Sequence, residues 1–443
     1  MVSLVRFSIL IISTLVSATL NNTQSSSSFK DSNGAWEFLG VSGYSGYITM
    51  NALTGSSLFF WLFEAINSNI TEDTKPLIIW LEGGPGCSGT FTMLWQTVSP
   101  IQVNYNTQPL RTNTNHTWAT SYHIMSIDFP YNVGYSFANS DSDQKNSTQA
   151  STYYLYRFLY KLWQKYPVWF SNRDIFIFGY SYGGHWVPGL AWNILQQNEL
   201  NNGFNFPLKG IAIGNPWADP ATQSQTYSSF AFTNSLINTN QMSIVNYYQN
   251  LVTTYLNTGQ LFQAQSSWEN ILDTVVSFAG GVDIYNVRNY GAQGDYSDTN
   301  LAAFMSKSST RSLLHVGSKQ WIDCNRTVFE YYTQDIMNST ISYFPSILSK
   351  GIQVMIYNGQ NDFICNTPGV ENMIASIDWP GASGFASAPK LNWMVEGSMA
   401  GYVQTYQNLT FVLILNAGHL AQYDQPVYTK NMAERFVNGT GWS

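Results

Sequence analysis

Asp174-Ile175-Phe176-Ile177-Phe178-Gly179-Tyr180-Ser181-Tyr182-Gly183-Gly184 is the stretch on which the fold turns. Residues 175–178 form a short unbroken apolar run, which suits a strand buried on both faces. It leads straight into Gly179-Tyr180-Ser181-Tyr182-Gly183. Small residues at both ends of this pentapeptide allow a sharp turn that projects the hydroxyl, and the N–H after the serine can donate to an oxyanion. Residues 184–195 can continue as a helix. In a chain with 33 glycines the pentapeptide alone is cheap, and its strand–turn–helix setting is what gives it weight.

The same rhythm recurs on both sides. Residues 76–81 lead into Glu82-Gly83-Gly84-Pro85-Gly86, and 124–127 lead into Asp128. Residues 211–213 lead into Gly214-Asn215-Pro216, 354–357 into Asn358-Gly359, and 411–415 into Asn416-Ala417-Gly418-His419. Earlier, residues 46–50 and Ser57–Phe63 flank Asn51-Ala52-Leu53-Thr54-Gly55 as a hairpin. Helical patterns lie between the runs, notably Thr148–Lys165, where Tyr153, Tyr156, Leu159, Tyr160 and Trp163 recur near 3.6 spacing. The alternation predicts an α/β protein with a mainly parallel central sheet, its ligand beyond the strands' carboxyl ends. The rhythm fades between residues 216 and 350, which are polar and helical in pattern. The expected organisation is a leader over 1–20, a core in two parts (21–215 and 351–443), and a helical insertion or cap over 216–350.

The bulk numbers agree. At 443 residues and 44% apolar the chain can bury a large core, which excludes disorder as its main state. Only 10% of residues are charged, 26 acidic against 19 basic, for a net charge of −7. No basic footprint for nucleic acid exists in that balance.

The amino terminus carries one positive charge, Arg6, then a short apolar run over residues 7–16 and the small-residue pattern Val16-Ser17-Ala18. That pattern predicts a secretory signal peptide. The alternative, a membrane anchor, is weaker because the run is short and no second apolar stretch of about twenty residues follows. Sequons at Asn21, Asn69, Asn115, Asn146, Asn325, Asn338, Asn408 and Asn438 fit the secretory pathway, ending in lysosome or vacuole or outside the cell. In that compartment three cysteines, Cys87, Cys324 and Cys365, imply one bridge and one free thiol, with three pairings open. No CxxC or HExxH spacing suggests a metal.

A nucleophilic serine needs a base, and the base an orienting acid. Of five histidines, only His419 follows an apolar run and a glycine near the carboxyl terminus. His185, one turn past the serine, reads as a packed core residue. Asp362 lies between Ser181 and His419, in the Ser…Asp…His order. Asp128 precedes the serine and reads as structural, and Asp424 as a residue that fixes the loop after His419.

These motifs carry a resemblance. Trp80-Leu81-Glu82-Gly83-Gly84-Pro85-Gly86-Cys87-Ser88, the run from Gly179 through Val187-Pro188, Asn361-Asp362-Phe363-Ile364-Cys365-Asn366 and Ala417-Gly418-His419 resemble the serine carboxypeptidases. The likeness spans nearly all the mature chain. It implies an α/β-hydrolase fold with a helical cap, and Ser181, Asp362 and His419 as nucleophile, orienting acid and base. By the same match the backbone N–H groups of Gly84 and Tyr182 form the oxyanion hole, Cys87 pairs with Cys324, and Cys365 is the free thiol. No cofactor is implied. The implied partner is a peptide or protein substrate, with no nucleic acid and no membrane once the leader is removed, and a homodimer is compatible with the pattern.

The chain departs from the family where a peptide's free carboxylate is recognised. The family's Asn in the Gly-rich loop, following Glu, and Glu before the nucleophile read here as Glu82, Gln96 and Tyr180. Ionised Glu82 would repel a carboxylate, whereas protonated Glu82 could donate to it, with Tyr180 and the Gly83 N–H. Leu420 replaces the residue after the base, in Leu420-Ala421-Gln422. The expected function is a serine carboxypeptidase acting at acidic pH through an acyl-enzyme. An esterase or acyltransferase with the same triad, and a silent binding or protective protein, are the rivals.

Overall fold

The computed structural model describes residues 34–103, 108–201, 204–291 and 299–442. The expected leader and the sequon at Asn21 lie outside them. The frame is one eleven-stranded sheet. From edge to edge its strands are Ala35–Phe38, Val41–Thr49, Ser57–Phe63, His123–Asp128, Leu77–Leu81, Ile175–Tyr180, Leu208–Gly214, Gln353–Gly359, Leu409–Ile414, Ser398–Tyr406 and Leu391–Val395. The six from His123–Asp128 to Leu409–Ile414 are mutually parallel, and the flanking strands pair antiparallel. This is the α/β-hydrolase-like arrangement the resemblance implied.

The parallel strands are apolar because both faces are covered. Ile175 and Ile177 point into one core with Leu77, Ile79, Ile211 and Ile213. Phe176, Phe178 and Tyr180 point into the other with Ile78, Trp80 and Met355. Each such buried side chain stabilises by roughly 1.5–3 kcal/mol relative to exposure.

The helix Thr148–Lys165 has the bounds the periodicity predicts, and Ser147 caps its first turn. Its buried stripe is rotated from the aromatic one: Leu155, Phe158, Leu159 and Leu162 face the core, whereas Tyr153 is 46% exposed. The helix Gly183–Glu199 contains Pro188, which cannot donate to the carbonyl four residues back. Thr340 Oγ1 donates to that Gly184 carbonyl instead, at 2.8 Å.

Between the strands Leu208–Gly214 and Gln353–Gly359 the described residues contribute helices and no strand of the sheet. Two of them, Thr239–Asn257 and Leu261–Phe278, pack as a pair. A disulfide joins Cys87, in the Gly-rich loop, to Cys324 across 237 positions, and Cys365 is free and buried. Among the described residues no helix is long and apolar enough to cross a membrane.

Candidate active site

Ser181 stands one residue past its strand with φ +58°, a left-handed conformation that a non-glycine residue adopts only where its surroundings enforce it. The enforcement is local. Ser181 N–H donates to the Gly214 carbonyl on the neighbouring strand, and the Ser181 carbonyl accepts from Gly184 and Trp217. The Gly-rich loop packs against this turn. A Cβ on Gly83 would lie 2.6 Å from Ser181 Cβ and 2.9 Å from the Tyr180 carbonyl, so only glycine fits there. Gly84 has φ +109°, which aims its peptide as an ordinary residue could not. Neither Gly84 N–H nor Tyr182 N–H has an acceptor among the described residues.

Two further strand ends bring a carboxyl and an imidazole together. Asp362 is fully buried beyond Gln353–Gly359, and His419 is 3% exposed beyond Leu409–Ile414. His419 Nδ1 lies 2.7 Å from Asp362 Oδ2. The same oxygen accepts from Asn215 Nδ2 at 2.7 Å, and Asp362 Oδ1 accepts from the Cys365 N–H at 3.2 Å. That set of donors holds the carboxylate still and leaves the imidazole one orientation. The structure joins His419 to Asp362, whereas no hydrogen bond links the Ser181 hydroxyl to His419 Nε2 among the described residues.

The imidazole lies between two aromatic rings, Tyr180 with centroid at 5.5 Å and Tyr285 at 5.2 Å. Tyr285 belongs to the loop after the helix Leu261–Phe278, and its carbonyl also accepts from His419 N–H at 2.7 Å. Asp362, Cys365 and His419 place potential metal-ligating atoms within 4.8 Å of one another. The donor set argues against an ion there: Nδ1 is committed to Asp362, and burial with the Asp362 charge pushes the Cys365 thiol well up, keeping its proton.

On the other side of Ser181, Glu82 is buried at 2% exposure. Its Oε2 accepts from Trp80 Nε1 at 3.2 Å and Thr92 Oγ1 at 2.8 Å, and Tyr180 hydrogen-bonds to the same carboxyl. Burial outweighs those bonds and pushes Glu82 up to about 7. Gln96 does not reach forward: it lies behind Thr92, donating to Thr92 Oγ1 at 2.9 Å, with its Oε1 buried and unpartnered among the described residues. Leu420 is 7% exposed, directly after the imidazole.

Residues that were not singled out as site members complete the arrangement: Asn215 on Asp362, Tyr285 on His419, and Trp80 and Thr92 on Glu82. Asn215 ends a strand run just as the others do, which is a usable signal, but an amide advertises no acid–base chemistry. Asp128 accepts from Ser88 Oγ at 2.6 Å and Tyr135 N–H at 2.8 Å, a structural role. Asp424 accepts from Gly418 N–H at 2.6 Å and fixes the loop of the base.

Comparison with known proteins places the chain. Residues 35–439 match the sequence profile of serine carboxypeptidases. A probable serine carboxypeptidase CPVL of Dictyostelium discoideum is 33% identical over 407 residues, covering 89% of this chain and 78% of the relative. Serine carboxypeptidase S10 family member 1 of the same organism is 31% identical, over 89% and 93%. The crystal structure of Kex1Δp, a prohormone-processing carboxypeptidase from Saccharomyces cerevisiae, superposes with a TM-score of 0.80 at 26% identity, covering 90% of this chain and 92% of that one. The match runs through both halves of the core and the helices between them, and the chain belongs to the serine carboxypeptidase family of serine hydrolases.

Proposed function

We propose that the protein removes carboxyl-terminal residues from peptides in acidic conditions, through an acyl-enzyme on Ser181. His419 takes the serine proton as Ser181 Oγ attacks the scissile carbonyl, then returns it to the leaving amine. Asp362, held by Asn215, stabilises the imidazolium. The Gly84 and Tyr182 N–H groups receive the oxyanion; a preorganised donor of this kind contributes roughly 3 kcal/mol to the transition state. Water then attacks the acyl-enzyme by the same proton route, and no cofactor enters. The secretory route read from the sequence would deliver it to a lysosome or vacuole or out of the cell.

The observation that carries the acidic reading is Glu82, a carboxyl buried beside Gly83 and Tyr180, which that burial pushes up to about 7. Protonated, it donates to a substrate carboxylate, with Tyr180 and the Gly83 N–H turning to it from their present bonds to Glu82; ionised, it repels one. Gln96 supports this site through Thr92, and Leu420 contributes an apolar wall. The exchanged recognition residues favour a second reading, in which the triad acts on esters or other acyl donors. Fluorophosphonate labelling separates both from a silent binding protein: a label on Ser181 that disappears in Ser181→Ala is expected, and an unlabelled, folded wild type would remove both enzymatic readings.

A further inference from the structure

Beneath the serine turn lies a buried carboxylate that the reaction scheme does not use. Asp335 opens the short helical turn Asp335–Met337, two helical elements ahead of the strand Gln353–Gly359, and is 4% exposed. Its Oδ2 accepts three hydrogen bonds: from Thr148 N–H at 2.8 Å, Thr148 Oγ1 at 2.5 Å and Tyr182 Oη at 2.6 Å. Asn338 Nδ2 approaches Oδ1 at 3.3 Å. His185 Nδ1 lies 3.7 Å from Oδ2 and 2.9 Å from Thr148 Oγ1, and no Lys or Arg forms an ion pair with Asp335 among the described residues.

A buried carboxylate without a fixed cation is a poor way to gain stability, since its desolvation costs several kcal/mol and an apolar group of similar volume avoids that cost. What this one does is directional. Tyr182 is the residue whose backbone N–H follows the nucleophile, and it is pinned at three places. Its hydroxyl is on Asp335, its ring stacks on His185 at 4.1 Å with 10° between planes, and Trp186 meets it edge-on at 4.8 Å. The same segment grips the turn from other sides. Thr340 Oγ1 reaches the Gly184 carbonyl at 2.8 Å, and Trp217 Nε1 donates to the Ile336 carbonyl at 2.7 Å. Strained backbone such as Ser181 persists only where its neighbours over-determine it.

We propose that Asp335 is a positioning residue, acting through the Tyr182 hydroxyl to hold the backbone N–H after Ser181 where it meets the oxyanion. This rests on reading Gly84 and Tyr182 as the oxyanion donors. Substrate binding in the ground state does not use that N–H fully, so the effect belongs in kcat.

The test is Tyr182→Phe, which removes one hydroxyl, together with Asp335→Asn and the double variant, assayed on one blocked peptide. Tyr182→Phe is expected to lower kcat about tenfold, less than loss of a whole donor, with KM within about twofold. Affinity for a peptide boronate, which mimics the tetrahedral intermediate, should fall by a similar factor, while that for the acyl-side product stays constant. The double variant should be no slower than the slower single one, because both remove the same link. An unchanged kcat in folded Tyr182→Phe, or a loss confined to KM, would overturn the proposal, as would losses that multiply in the double variant. If Asp335→Asn does not fold, Tyr182→Phe decides alone. Fluorophosphonate labelling of the wild type keeps the two levels apart: no label sinks the catalytic reading, whereas label with unaltered variants sinks only the role of Asp335.

Discussion

At the scale of single residues, the site is a set of groups left idle on one side and fully occupied on the other. Asp362 accepts from His419, Asn215 and the Cys365 N–H, while His419 Nε2 and Ser181 Oγ have no hydrogen-bond partner among the described residues. Asn215→Ala removes one donor from a buried carboxylate and loosens the acid. It is expected to lower kcat by roughly ten- to a hundredfold with little change in KM; steady-state kinetics that show an intact kcat would remove Asn215 from the mechanism. Sequons can be sorted on the same principle. Asn408 donates its amide to the Leu348 and Ile352 carbonyls, and Asn325 to that of Asn132, whereas Asn115 and Asn438 are exposed. Glycopeptide mass spectrometry of secreted protein should find glycan at exposed sequons such as Asn438 and none at Asn408, where it would break two hydrogen bonds. Ser181, Asp362 and His419, the proposed triad, stood out in the sequence because each follows an apolar run and carries a group with chemistry. Asn215 sits at the same kind of strand end without one, and the partners of Glu82 are joined to it only by the fold.

At the scale of elements, the loops of acid and base are held together by a strap. Val287 N–H donates to the Asn361 carbonyl, the Ile284 carbonyl accepts from Phe363 and Ile364, and the Tyr285 carbonyl accepts from His419. Gly418 is the contact point: a Cβ there would lie 2.4 Å from the Tyr285 carbonyl oxygen. Gly418→Ala should therefore displace the strap and cost at least tenfold in kcat/KM with a lowered Tm. A variant with wild-type kinetics and melting would show that the strap is not a support. The parallel strands were readable because each is an apolar run closed by glycine or a turn residue. The antiparallel pair Leu391–Val395 and Ser398–Tyr406 was not, since it lies at the sheet edge as neither an unbroken apolar run nor a strict apolar–polar alternation. Its one sign was Glu396-Gly397, a two-residue turn with both φ positive, at +51° and +79°. The repeat in Thr148–Lys165 marked the helix, and its members divide between core and surface: Tyr156 and Leu159 are buried, whereas Tyr153 is exposed.

At the scale of the molecule, buried titratable groups set how stability follows pH. Burial pushes Glu82 and Asp128 up to about 7, so the folded chain keeps two protons that the unfolded chain releases near pH 4. Their contribution is whole below about pH 4 and is lost as pH rises through 7, each on the order of 3 kcal/mol. His123 runs the other way. Burial holds it down at about 4, so its contribution is present above about 6.5 and is lost as pH falls through 4. Two groups outweigh one, and Tm should decline between about pH 4.5 and 6.5 with a slope that flattens in Glu82→Gln; parallel curves for the two proteins would refute the assignment. The central claim, that Glu82 makes the carboxylate site acid-dependent, is tested most directly by kcat/KM for one blocked dipeptide as its free acid and as its ester, from pH 4 to 7, in wild type and Glu82→Gln. The account predicts that wild type prefers the free acid and loses that preference as pH rises, while Glu82→Gln keeps it. Hydrolysis of the ester alone, or identical free-acid profiles in the two proteins, would contradict it.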